Sequence, residues 1–264
     1  MQKLTKRSGI EAELDRRLAQ LAISLVDLTN LANDCVAADI EALCERADRY
    51  KTAAVCVWPD FVAQSAQALS GSGVAVATVV NFPTGDERPF AVGVLASRAL
   101  DVGADEVDVV LPFRQFAAGD LRRAAEVLNT VRTVTEGSAT MKVILESGEL
   151  SDLTTVADAA RFAIEHGADF IKTSTGKSPV SATLEAAEVM LRAIAATDHP
   201  VGLKPSGGIS TADDAARYIE LAERMMGTGW VTPQTFRFGA SGLLNALLAV
   251  LGETADVAPA AQTY

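Results

Sequence analysis

Short runs of aliphatic and β-branched residues recur along the chain, and each is followed by an alanine-rich stretch with helical period. The runs are ISLVDLT (23–29), AAVCVW (53–58), VAVATVVNF (74–82), EVDVVLP (106–112), MKVILES (141–147), FIKTS (170–174), VGLKPS (201–206) and TFRFGA (235–240). Their length and β-branched content predict eight strands. Helical patterns lie between them, near 38–50, 60–70, 87–102, 118–136, 151–166, 181–196, 211–226 and 241–251, and one more precedes the first strand near 8–21. Eight strands alternating with eight helices in about 250 residues predict an α/β fold, a (β/α)8 TIM barrel, here with an extra N-terminal helix. An open doubly wound sheet is the alternative. It has fewer strands and carries a glycine fingerprint after the first, where this chain reads NLANDC. No Pro-, Gly- or Ser-rich linker divides the chain. The expectation is one barrel domain over 1–251 and a flexible C-terminal tail over 252–264.

Composition narrows the function. The chain has 264 residues, 49% hydrophobic and 22% charged, enough apolar side chains for a large core. Its net charge of −11 excludes a general nucleic-acid partner, because phosphate backbones demand basic faces. Phosphate recognition would have to be local. The cysteines Cys35, Cys44 and Cys56 form no CxxC pair, and an odd count without a secretory leader suits a reducing cytoplasm. No apolar run approaches the roughly 18 residues of a membrane helix. Two histidines are present. His166 reads as the end of a helix and His199 as a turn residue, so no metal site is expected.

The stretch FIKTSTGKS (170–178) carries two lysines with different settings. It is not a phosphate-binding P-loop, which needs glycine at the position of Ile171. Lys172 lies in an apolar strand, where a free charge is costly. In a barrel, catalytic groups sit at the C-terminal strand ends, and alternation puts Lys172 and Ser174 on one face. Lys204 holds the matching place on the next strand. Adjacent parallel strands are about 4.8 Å apart, so repulsion and burial predict that at least one of the two pKa values falls. An amine so activated attacks carbonyls to form a Schiff base, which then serves as an electron sink for C–C cleavage without a metal. Asp108 is the leading proton-transfer candidate, with Asp27 across the barrel in support. A purely structural ion-pair network of Lys172, Lys204, Lys142, Asp108 and Asp27 is the alternative. Five charges on one rim, two of them like-charged neighbours, favour chemistry. Cys56, alone in an apolar strand, reads as a small core residue.

Glycine-rich loops form a second constellation. STGK follows strand six, SGGIST strand seven and FGASG strand eight. Backbone N–H groups and hydroxyls in such loops bind phosphate oxygens, and the loops after strands seven and eight are the usual barrel phosphate site. Thr175, Gly176, Lys177, Gly207, Gly208, Gly239 and Ser241 are the candidates. The tail, extended, could reach about 40 Å, far enough to carry Tyr264 back over a barrel rim as a proton relay.

The motifs FIKTSTGK, GLKPSGGIST, EVDVVLP, KVILESGEL, SLVDLTNL and RFGASGLL, in this order from about residue 22 to 251, resemble the deoxyribose-phosphate aldolase family. The resemblance implies a class I aldolase that needs neither metal nor cofactor. It would reversibly cleave 2-deoxy-D-ribose 5-phosphate to D-glyceraldehyde 3-phosphate and acetaldehyde. Lys172 would form the Schiff base, Lys204 would lower its pKa, and Asp108 would shuttle protons. Asp27 and Lys142 would complete the polar network, Thr29 would help hold the substrate, and the glycine loops would hold its phosphate. Some members end in tyrosine, as this chain does at Tyr264. Two positions depart from the family: Ser210 stands where many members have arginine, and Gly242 where some have a second serine. The implied partners are a sugar phosphate, aldehydes and further copies of the chain, as a homodimer or homotetramer. Two other readings stay open: another Schiff-base barrel such as a transaldolase or keto-acid aldolase, and a non-catalytic barrel that binds sugar phosphates.

Overall fold

The computed structural model describes residues 9–253. Helix α1 (Gly9–Ser24) leads into strand β1 (Val26–Asn30). There follow α2 (Ala37–Tyr50), β2 (Ala54–Val57), a 3-10 turn (Pro59–Phe61) running into α3 (Val62–Ala68), β3 (Ala75–Val80), α4 (Pro89–Asp101) and β4 (Glu106–Val110). The second half comprises α5 (Phe113–Ala117), α6 (Leu121–Thr135), β5 (Thr140–Ile144), α7 (Leu153–Glu165), β6 (Phe170–Lys172), α8 (Leu184–Ala195), β7 (Gly202–Lys204), α9 (Ala212–Met226), β8 (Phe238–Ala240) and α10 (Leu243–Leu251). All strand pairs are parallel, in the order β7-β6-β5-β4-β3-β2-β1-β8. Single bridges Leu203↔Phe236 and Ser206↔Gly239 join the two end strands. The sheet is thereby a (β/α)8 TIM barrel, with α1 packed against α10 before the first strand.

Two local differences from the sequence pattern have plain causes. The run ISLVDLT is shared between two elements: Ile23 and Ser24 finish α1, whose apolar side faces the core, and the strand starts only at Val26. Helix α5 is not anticipated by the pattern. Pro112 stands at its N-cap, and Phe113 and Phe116 bury one face of a single turn too short to show a period. Strands β3 to β7 also end before their apolar runs do, because the last residues of those runs belong to the loops at the barrel mouth.

The register divides the barrel interior into two halves. Asp27 aligns with Ala54, Ala54 with Ala75, and Cys56 with Ala77. The inward positions of β2 and β3 are therefore small, and Ala54, Cys56, Ala77 and Val79 form an apolar cluster with Leu31. Cys56 is a buried core residue there, as expected. On the other side, Val79 aligns with Asp108, Asp108 with Lys142, and Lys172 with Lys204. Long charged side chains thus lean into space that the small ones leave open. Outward positions such as Val55, Val107, Val143 and Leu203 join the larger core beneath the helices.

Beneath the charges, the floor is tightly filled. A Cβ added to Gly202 would lie 2.2 Å from Cε1 of Phe170, and the Arg237 guanidinium sits 5.7 Å from the centre of that ring. Gly202→Ala is therefore expected to destabilise the barrel by about 1–3 kcal/mol through overpacking. Urea unfolding checks this, and an unchanged midpoint would mean that Phe170 can move aside.

Candidate active site

Seven ionisable side chains meet inside the barrel. Asp108 accepts from Lys142 through Oδ1 at 3.0 Å, and from Lys172 and Lys204 through Oδ2 at 2.9 and 2.8 Å. Asp27 Oδ1 accepts from Arg237 Nη1 at 2.7 Å. Its Oδ2 lies 2.5 Å from Lys204 and 3.5 Å from Lys142. Those contacts are ion pairs whose angles fall outside hydrogen-bond geometry, since Oδ2 has no hydrogen-bond donor. Glu106 accepts from Arg237 Nη2 at 3.0 Å and also binds Lys142. The cations are Lys142, Lys172, Lys204 and Arg237, and the anions are Asp27, Glu106 and Asp108, four against three. Lys142 and Lys204 are sealed from solvent, whereas Lys172 keeps 2% exposure.

The carboxylates decide how the buried charges are held. Burial pushes the Asp108 carboxyl up, but Lys142, Lys172 and Lys204 outweigh it and hold it well below the usual carboxylate range. Burial is likewise overcome at Asp27, by Lys204, Lys142 and Arg237. Burial pulls Lys204 down, yet Asp108 and Asp27 raise it above the ordinary value of 10.5. Lys142 is raised in the same way by Asp108 and Glu106. Mutual repulsion thus does not lower Lys204, because Asp108 Oδ2 bridges its ammonium to that of Lys172. Lys204 remains a fixed cation. If Lys172 gives up its proton, three cations face three anions.

The remaining candidates line the mouth. Thr29 is buried and donates to the Asp27 carbonyl at 2.7 Å. Thr175 donates to Glu146 at 2.5 Å, and Lys177 Nζ crosses the mouth to the Leu31 carbonyl at 3.0 Å. Gly176 and Gly207 have φ of +77° and +82°. They bring two loops so close that a Cβ on Gly207 would stand 3.1 Å from Gly176 Cα. Gly208 is left-handed too, at φ +77°. Gly239 lies against Ser206 and Lys204: a Cβ there would be 3.2 Å from Lys204 Cε. Ser241 is half-buried just before Gly242, the N-cap of α10. Ser210 is exposed, and its N–H donates to Asp214 at 3.4 Å. Tyr264 lies outside the described residues. Three polar residues of the site received no role from the sequence: Glu146, which stands at a strand end, and Glu106 and Arg237, which were not singled out. Alternation could have found the last two, since Glu106 shares a face with Asp108, and Arg237 with Gly239.

Among the described residues, no group of three or more His, Cys, Asp or Glu side chains is arranged to hold a metal ion. Among them too, no helix is long and apolar enough to cross a membrane. The profile of the DeoC/LacD family aldolases matches residues 21–249. A deoxyribose-phosphate aldolase from Agrobacterium fabrum is 48% identical over 94% of this chain and 98% of its own length. A Coccidioides immitis crystal structure assigned as a deoxyribose-phosphate aldolase superposes with TM-score 0.80 at 27% identity, covering 89% of this chain and 87% of that one. The tetrameric deoxyribose phosphate aldolase of Aeropyrum pernix shares the fold, with TM-score 0.73 at 23% identity over 92% and 97% of the two chains.

The charge cluster sets a pH range for stability. Asp27 and Asp108 have folded pKa values below the ordinary 3.8, so the stability they add is present above about 3.8 and lost as pH falls through their folded values. Lys142 and Lys204 are raised, so their contribution is present below about 10.5 and lost as pH rises through their folded values. These four groups are expected to leave urea stability flat between about pH 5 and pH 9. Across that plateau Lys142→Met, which strips Glu106 of a buried cation, should cost about 3–5 kcal/mol. A cost below about 1 kcal/mol would show the cluster to behave as solvated surface pairs.

Proposed function

The chain belongs to the DeoC/LacD family of aldolases, and we propose that it cleaves 2-deoxy-D-ribose 5-phosphate reversibly to D-glyceraldehyde 3-phosphate and acetaldehyde through a Schiff base on Lys172. The observation that carries this reading is the shared oxygen of Asp108. It holds Lys172, the cluster's most open amine, beside Lys204, a permanent cation. An amine set among surplus positive charge yields its proton more readily than one that neutralises a carboxylate alone.

The chemistry follows from that placement. Free Lys172 attacks C1 of the open-chain sugar, and loss of water gives the iminium. A base takes the C3 hydroxyl proton, the C2–C3 bond breaks, and its electron pair flows into the iminium to form an enamine. C3 leaves as the aldehyde of glyceraldehyde 3-phosphate. Protonation of the enamine at C2 and hydrolysis release acetaldehyde and regenerate the amine. Asp108 is the proton shuttle, hydrogen-bonded to both lysines. Asp27 and Lys142 hold Asp108 and Lys204 in register. The iminium is itself the electron sink, so no cofactor is required.

Thr29 helps hold the sugar. Its phosphate lies among Thr175, Gly176, Lys177, Gly207, Gly208, Gly239 and Ser241, near the N-terminus of α10, where unpaired N–H groups favour anions. Tyr264 is the proposed relay for the enamine proton. The enzyme works in the cytoplasm as a homodimer or homotetramer.

Incubation with acetaldehyde, borohydride reduction and mass spectrometry test the reading. One ethyl adduct is expected, on Lys172, and Lys172→Ala should lose both the adduct and cleavage. An unmodified, folded wild type would point instead to a barrel that only binds sugar phosphates. Lys204→Met leaves Asp108 Oδ2 to Lys172 alone, with Oδ1 still held by Lys142, so the acid limb of imine formation should move to higher pH and turnover at neutral pH should fall about 10²-fold. An acid limb at its original pH would remove Lys204 from this role.

A further inference from the structure

One buried carboxyl near the lysines stands outside their ion-pair cluster. Glu146 follows β5 and is fully buried. Its φ of +53° is left-handed, a conformation that costs a residue with a Cβ roughly 1 kcal/mol and suits glycine better. The turn is a bulge. Leu145 N donates to the Lys172 carbonyl at 2.9 Å and Ser147 N to the Thr173 carbonyl at 2.8 Å, so three residues on one side span two on the other. Glu146 is the extra residue, and the bulge aims its side chain at the loop after β6.

There it meets Thr175. Both carboxylate oxygens lie 3.3 Å from Thr175 N, and Oε2 also accepts from Thr175 Oγ1 at 2.5 Å. Thr175 Oγ1 accepts in turn from Lys177 N at 3.0 Å. The series Glu146, Thr175, Lys177 shapes the turn around left-handed Gly176. The Lys172 amine, by contrast, is held by Asp108. The strain at Glu146 is thus matched to the loop and not to the amine.

We propose that Glu146 is a positioning residue for the phosphate end of the substrate, fixing the Thr175–Lys177 turn and so setting the preference for phosphorylated over unphosphorylated sugars. This rests on the function proposed above. Backbone N–H groups bind phosphate only when their directions are set beforehand. A turn that must be ordered at each binding event weakens ground-state binding and leaves the bond-breaking step alone.

The test compares the full-length wild type with Glu146→Gly and Glu146→Gln. Glycine removes the carboxylate while relieving the left-handed backbone, so folding is not put at risk by strain. Glutamine keeps an acceptor for Thr175. Kinetics are measured with 2-deoxyribose 5-phosphate and with 2-deoxyribose, and acetaldehyde trapping on Lys172 is followed separately. Glu146→Gly is expected to raise KM for the phosphorylated sugar roughly tenfold, the loss of a charged hydrogen-bond acceptor. Its kcat, its cleavage of 2-deoxyribose and its trapping on Lys172 should stay within about twofold of wild type. Glu146→Gln should recover part of the KM. Equal losses on both sugars would place the effect at the amine and overturn the proposal, as would no loss on either. If wild type itself neither traps acetaldehyde nor cleaves the phosphorylated sugar, the proposed function fails first, and this proposal with it.

Discussion

The carboxylate of Asp108 is what allows three lysines to share the inside of one barrel. Without it, Lys142, Lys172 and Lys204 would be like charges in a dry interior, each driven to lose its proton. With it, two of them stay cationic above their ordinary value. One carboxylate cannot serve three ammonium groups alone, so Asp27 takes a share of Lys204, and Glu106 a share of Lys142. Arg237 then spans Asp27 and Glu106 and ties the lower ends together. Breaking a buried pair costs more than forming it gains, so each member depends on the rest. The small residues on β2 and β3 are part of the same constraint, because larger ones would occupy the volume that the long side chains fill.

The cluster's odd charge links this electrostatics to the proposed chemistry. Four cations face three anions when Lys172 is protonated, and three face three when it is a free amine. An iminium on Lys172 restores four against three. The surroundings that tolerate the resting ammonium therefore also tolerate the intermediate, with no rearrangement of the buried groups. Preorganised charge of this kind acts without a reorganisation cost at the moment of reaction. In the proposed mechanism the fixed anion at Asp108 faces the iminium as it faced the ammonium. One bridging oxygen lies 2.9 and 2.8 Å from the two nitrogens.

Most of this fold was legible in the sequence, because a barrel repeats one signal eight times and each strand supports the reading of the others. Lys172, Lys204, Asp108, Asp27 and Lys142 were legible as a group, since alternation and strand-end position suffice to bring them together. Their energetics were not. Repulsion between Lys172 and Lys204 follows from adjacency on neighbouring strands. The bridging by Asp108 depends on side chains meeting across the barrel, 64 and 96 positions apart along the chain. The pairing of Arg237 was hidden for the same reason, its partner Asp27 being 210 positions away. Glu146 stands at the end of its strand run, but the direction of its side chain was hidden by its backbone. Strand periodicity assigns faces to regular residues, and a bulge puts its residue off that count. Helix α5 was missed because one turn has no measurable period.

The two ends of the site are built on different principles, and the overall charge explains why both are needed. A chain with net charge −11 repels an anionic sugar phosphate at long range. At physiological salt that repulsion is screened within about 8 Å, so what the substrate meets at the mouth is local. There the buried cluster carries one surplus positive charge, and the glycine loops offer backbone N–H groups. The first is rigid because every member is ion-paired inside the barrel. The second is made of loop, and a loop holds its shape only through specific anchors. Lys177 reaches across to Leu31, Gly207 lies against Gly176, and Glu146 bends out of its own strand to hold Thr175. In the proposed function, reaction at the carbonyl draws on the sealed charges of the strands, whereas discrimination by phosphate draws on those few anchors. On that proposal, the chemistry is conserved by the barrel while substrate preference is altered at a single loop contact.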